Sequence, residues 1–138
     1  MLQSIHSTLA YAVLAVLVLA IINAFLGLSA KRNFTSKDRS VSLIALIFSH
    51  IQLVVGIVLW IESPLGKAAL SQMSNSALRL TALEHPLINI IAIVVITIGW
   101  SKHKKEESSN GKFKKIAIFF TLGLLLILSR IPWTNWLA

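Results

Sequence analysis

The chain has 138 residues, of which 56% are hydrophobic and 13% charged, and its mean hydropathy is +0.79. An ordinary soluble domain carries roughly twice that charged fraction, so the composition argues against a water-soluble fold and predicts an integral membrane protein. The absence of cysteine excludes disulfides, thiolate-held iron–sulfur clusters and covalent c-type haem attachment through this chain, and leaves histidine, carboxylate or methionine for any metal.

Apolar stretches at 2–29, 41–61, 80–100 and 116–136 each approach or exceed the ~20 residues needed to cross ~30 Å of hydrocarbon. They predict an all-α, integral membrane four-helix bundle, up-down-up-down, forming a single domain over residues 1–138. The first stretch lacks the basic n-region, the short apolar core and the small-residue cleavage site of a secretory signal, so it is read as retained. Its face of His6, Ala10, Val13, Leu17, Ala20, Ala24 and Gly27 alternates in steps of four and three and should point into the bundle.

A short polar connection, KRNFTSKDRS, leads into the second helix, where Ser42, Ala45, Ser49, Gln52 and Gly56 share a face. His50 is offset from that face by roughly 100°, and only supercoiling or a wide cavity would bring it inward. The next connection, ESPLGKAALSQMSNSALR, contains Pro64 and Gly66 and then a mildly amphipathic patch that predicts a short interfacial helix. Trp60, Trp133 and Trp136 mark one interface and Trp100 the other, as in an aromatic belt.

The third helix poses a problem of length. Starting it at Pro86, where proline is best tolerated, would give a span of only ~22 Å to Trp100. Starting it near Arg79 or Leu80 restores ~31 Å and buries Glu84 and His85 one to two turns inside. Pro86 then lies within the helix, cannot donate to the Ala82 carbonyl, and should bend the helix. The inward face is Ala82, His85, Asn89, Ala92, Ile96 and Gly99. The last connection, SKHKKEESSNGKFKK, reads as a hydrophilic loop with a Ser-Asn-Gly turn, holding a solvated His103. The fourth helix offers Phe119, Gly123, Leu126, Arg130 and Trp133 on one face.

The net charge of +8 is concentrated at one end: Lys31, Arg32, Lys37 and Arg39 in the first connection, and Lys102, Lys104, Lys105, Lys112, Lys114 and Lys115 in the last. Only Lys67, Arg79 and Arg130 lie near the opposite ends. This asymmetry is a topology signal that places both basic loops in the cytoplasm and both termini outside, with some attraction to anionic lipid, and it does not call for nucleic acid.

His6 and His85 occupy equivalent stripe positions on parallel helices that stand diagonally opposite in such a bundle. Two imidazoles facing each other across a core of small residues would suit haem with two histidine axial ligands. His50, placed mid-span, is the other candidate ligand, so two of the three histidines would touch iron. Arg79 and Arg130 would pair with haem propionates or with Glu84. The alternatives are a non-haem copper or zinc site built on His6, His50 and His85 with Glu84, a haem-processing enzyme, and a cofactor-free subunit of a larger membrane complex. No nucleophile–base pair, phosphate loop or catalytic carboxylate pair is present to suggest an independent hydrolase or transferase.

The segments IHSTLAY, FTSKDRS, SHIQLVVGIVLW, LRLTALEHPLINIIAIVVITIGWSK and SRIPW, in that order, resemble a family of small bacterial four-helix membrane proteins commonly labelled cytochrome b. The resemblance covers nearly the whole chain, with a departure at Ala10, where such relatives tend to carry arginine. It implies a noncovalent b-type haem, with His6, His50 and His85 at the family's histidine positions, in a protein of the bacterial inner membrane. Together with the histidine pattern, it makes the expected activity single-electron transfer, with a quinone or a respiratory protein as partner and a homo-oligomer as one assembly.

Overall fold

Helix boundaries follow the caps and breakers in the sequence. The computed structural model describes residues 1–137. In it α1 (Leu2–Ala30) is closed by Lys31, which takes a left-handed conformation (φ 53°, ψ 41°). That turn lets the Lys31 and Arg32 amides bond the carbonyls of Leu28 and Gly27. The second helix, α2 (Ser36–Glu62), begins well before its apolar run. Thr35 and Asp38 form a capping box there, with the Thr35 amide donating to Asp38 Oδ2 at 2.9 Å.

The connection after α2 folds into a 3₁₀ helix (Lys67–Gln72) and a short α3 (Ser76–Arg79). Asn75 caps α3 by accepting from the Ala77 and Leu78 amides. One π-helical turn (Leu80–Glu84) then leads into α4 (His85–Lys105). The third helix is therefore longer than its apolar run, and Pro86 has a visible consequence. Lacking an N–H, it leaves the Ala82 carbonyl without its usual partner; the chain widens into the π turn beside it, and Trp60 Nε1 of α2 donates to that carbonyl at 2.7 Å.

The fourth helix differs most from expectation. It runs from Ser109 to Ser129 (α5), shifted toward the amino end relative to 116–136. Ser109, Asn110 and Gly111 form its first turn and not a loop, because the Ser108 hydroxyl oxygen caps it by accepting from the Gly111 amide at 2.9 Å. At the other end Pro132 disfavours helical geometry at Ile131. The helix stops, Trp133 Nε1 donates to the free Leu128 carbonyl at 3.3 Å, and a separate α6 (Trp133–Leu137) follows.

In the bundle α1 packs against α2 and α5, and α4 packs against α5 and α2, so α1 and α4 stand on the diagonal. Small residues set the spacing: a Cβ added at Gly27, Gly99 or Gly123 would run into Phe113, Phe119 or Ile96 respectively. Lipid gives no hydrophobic drive for helix association, so such close approach is what holds a bundle together. The buried faces of α1, α2 and α4 match the expected stripes, with Leu17, Ala20, Ala45, Ala92 and Ile96 fully buried. On α5 the buried face is Phe113, Ile116, Ala117, Phe120, Gly123 and Ile127, and of the expected stripe only Gly123 belongs to it. Among the described residues three helices, Leu2–Ala30, Ser36–Glu62 and Ser76–Lys105, are long and apolar enough to cross a membrane.

Candidate functional site

Polar groups are scarce on the inward faces of this bundle, and several of them meet at one end. His6 enters from the first turns of α1 and His85 from the start of α4. Their ring centroids are 6.2 Å apart, with the planes at 82°. His85 follows directly on the π turn that ends at Glu84.

Each ring is held differently. His85 Nδ1 lies 3.0 Å from the Arg130 carbonyl oxygen. A carbonyl only accepts, so Nδ1 carries the proton and Nε2 is the bare nitrogen. The Asn89 amide, 3.2 Å from the same Nδ1, therefore spends its hydrogen on the His85 carbonyl at 2.6 Å. On His6 the backbone carbonyl accepts from Gln52 Nε2 at 2.7 Å. His6 Nδ1 and Gln52 Oε1 are both buried and have no partner among the described residues. Gly56 of α2 lies directly beside the His6 ring: a Cβ there would stand 3.1 Å from His6 Cε1.

Charge gathers beside the pair. Glu84 bonds Arg79 Nε at 2.9 Å and lies 3.5 Å from Arg130 Nε, so one carboxylate joins both arginines. Arg79 also donates to the Met73 carbonyl. Both cations are thus on Glu84, next in sequence to His85, at the end of the bundle where the sequence pattern puts them.

His50 lies apart. Its ring is on the exposed side of α2, with Nδ1–H donating to the Leu46 carbonyl at 2.8 Å and Nε2 3.4 Å from the Thr97 hydroxyl oxygen. The offset from the Ser49 face is retained, and the bond to the preceding turn satisfies one ring nitrogen without any interior partner. Among the described residues no group of three or more histidine, cysteine or carboxylate side chains that could hold a metal forms, and His50 does not join His6, His85 and Glu84. His103, expected in solvent, is 1% exposed. Its ring packs at a tilt against Trp100 (4.5 Å) and Phe34 (5.4 Å), because α4 and α5 absorb most of the loop expected to carry it.

Sequence reasoning named the two rings and the three charged residues but not their supports: the Arg130 carbonyl, Asn89 as a brace and Gln52 as a clamp. Gln52 and Asn89 were on the inward stripes, and an amide at such a position in an apolar helix is the signal that was available. The chain matches no family model, and neither a curated protein nor a solved structure is significantly similar to it.

Proposed function

We propose that this chain is a multi-pass membrane protein that holds one b-type haem between His6 and His85 and passes single electrons. The observation that carries this reading is the spacing of the pair, 6.2 Å between ring centroids on diagonally opposed helices. Two histidine rings this close on opposed helices are near enough for both to serve as ligands of one metal held between them. The donor set fits such a group. His85 gives its Nδ1 proton to a backbone carbonyl, the second bond that commonly orients a metal-binding histidine. His6 Nδ1 and Gln52 Oε1 have no partner among the described residues, and the His6 ring lies against Gly56.

Bound there, haem would supply reversible one-electron chemistry. The residues of the chain hold and orient it: the Arg130 carbonyl and Asn89 fix His85, Gln52 fixes the backbone at His6, and Arg79 and Arg130 offer cations to propionates in place of Glu84. Val13 and Ala92, buried farther along α1 and α4, keep water from the bundle interior. We take α5 as a fourth span: its length reaches ~31 Å, and Lys112, Lys114 and Lys115 extend from its first turns to the headgroups. The basic ends then lie in the cytoplasm and the histidine pair near the outer face of a bacterial inner membrane. A quinol or a respiratory protein would serve as electron donor.

One observation favours a second reading. The rings pack edge to face, 6.2 Å apart, and two recesses of about 330 and 360 Å³ lie at the opposite end of the bundle. A single copper ion needs less room than a macrocycle, and imidazole suits it. The reduced-minus-oxidised spectrum of the purified full chain decides between them. Soret and α bands that vanish in H6A and H85A but persist in H50A support haem. A colourless protein with stoichiometric copper supports the ion, and a chain that binds neither sinks both readings.

A further inference from the structure

At the end of the bundle away from the histidine pair there is a recess of about 360 Å³, formed by Thr35, Ser36 and Arg39 at the start of α2, His103 and Lys104 at the end of α4, and Lys112 of α5, with Phe34. Three cations therefore border one small space. Among the described residues none of them has a carboxylate within 4.0 Å. The acidic groups nearby are engaged elsewhere: Asp38 with Arg32 at 3.2 Å and Glu106 with Lys115 at 3.8 Å. Glu107 is exposed and does not line the recess.

Two of the cations, Arg39 and Lys112, are held without being neutralised. The Arg39 guanidinium lies 5.2 Å from the Trp100 ring centroid, and Lys112 Nζ lies 5.9 Å from that of Phe34. Lys112 also donates to the His103 carbonyl at 3.1 Å. Buried His103 fills the space between the two aromatic rings and stiffens the wall. Like charges brought together on a rigid frame repel unless an anion joins them, and Arg with Lys is the pairing that recognises phosphate. The recess lies beside Trp100, at the end of the apolar helices, where phospholipid headgroups sit.

We propose that this recess is a binding site for the phosphate group of an anionic phospholipid. The inference does not depend on the histidine pair and stands whether or not that pair binds metal.

Native mass spectrometry of the full chain released from detergent tests it, with phosphatidylglycerol, phosphatidylcholine and inorganic phosphate as probes. The expected result is one retained phosphatidylglycerol per chain and no comparable retention of phosphatidylcholine. R39Q/K112Q should bind phosphatidylglycerol about 30-fold more weakly, the effect of two basic side chains near an anionic surface. R39K/K112R should retain it, and K67Q, at the other end, should leave it unchanged. K104Q repeats the test in a variant that keeps both aromatic contacts, and it too should weaken binding. Equal retention of phosphatidylcholine, or wild-type binding by R39Q/K112Q and K104Q, overturns the proposal. Inorganic phosphate that binds without lipid and is lost in R39Q/K112Q supports the anion site but overturns lipid as its source.

Discussion

Gly99 faces α5 at the most restrictive contact between long helices. A methyl group there would stand 2.3 Å from Phe119 Cβ and 3.0 Å from Phe119 Cγ, whereas ordinary contact begins at 3.4 Å. Roughly 1.1 Å must be recovered, the difference between 3.4 and 2.3 Å. Turning the Phe119 ring does not help, because Cβ is fixed to the α5 backbone. The helices must separate, and a gap of ~0.5–1 Å already forfeits a quarter to a half of each dispersion contact along the seam. Overpacking of this kind costs about 1–3 kcal/mol, against which alanine regains ~1 kcal/mol of helix propensity. Because no side-chain rotation relieves the clash, the cost falls toward the top of that range, and G99A should be less stable by about 2 kcal/mol. G56A meets only the His6 ring edge at 3.1 Å, so propensity should nearly cancel packing there. Thermal unfolding of the purified chain in a mild detergent, followed by circular dichroism, reads both. The packing argument is wrong if G99A unfolds at the wild-type temperature, or if G56A is the more damaged of the two.

D38A removes the acceptor for the Thr35 amide, Asn23 and Arg32 together, and should lower stability by about 2–3 kcal/mol, a cap of ~1 plus the stranded partners; in thermal unfolding the loss should persist in high salt, since hydrogen bonds dominate it. E84Q should cost no more than ~1 kcal/mol, because Glu84, Arg79 and Arg130 side chains are 34%, 40% and 49% exposed and solvent screens them. A much larger loss would mean that the carboxylate is desolvated. W60F takes the donor from the Ala82 carbonyl and should cost about 1–3 kcal/mol, with faster hydrogen exchange in the π turn as the local sign.

Much of the architecture was legible because a membrane imposes a simple rule: backbone groups must be satisfied within a helix, so long apolar runs declare themselves. The stripes on α1, α2 and α4 were legible for the same reason, since small and polar residues avoid lipid. The α5 stripe fails on two counts: Pro132 breaks the helix between Arg130 and Trp133, and within α5 the large apolar residues Phe113, Ile116, Phe120 and Ile127 define an inward face rotated away from Phe119 and Leu126. The loop before α5 misled because Ser, Asn and Gly serve equally as a turn and as a helix start; Ser108 decides it by capping the Gly111 amide.

Composition and periodicity alone determined that this is an all-α protein of apolar helices, that one end is basic, and that His6 and His85 share an inward register. Only the tertiary structure decided the rest: that the two rings come within 6.2 Å, that His50 faces away, and that His103 is buried between aromatic rings. Periodicity fixes the direction of a side chain about its own helix. Distances between helices depend on how far glycines let neighbouring backbones approach and on which carbonyls proline frees for bonds from elsewhere, and neither is local information.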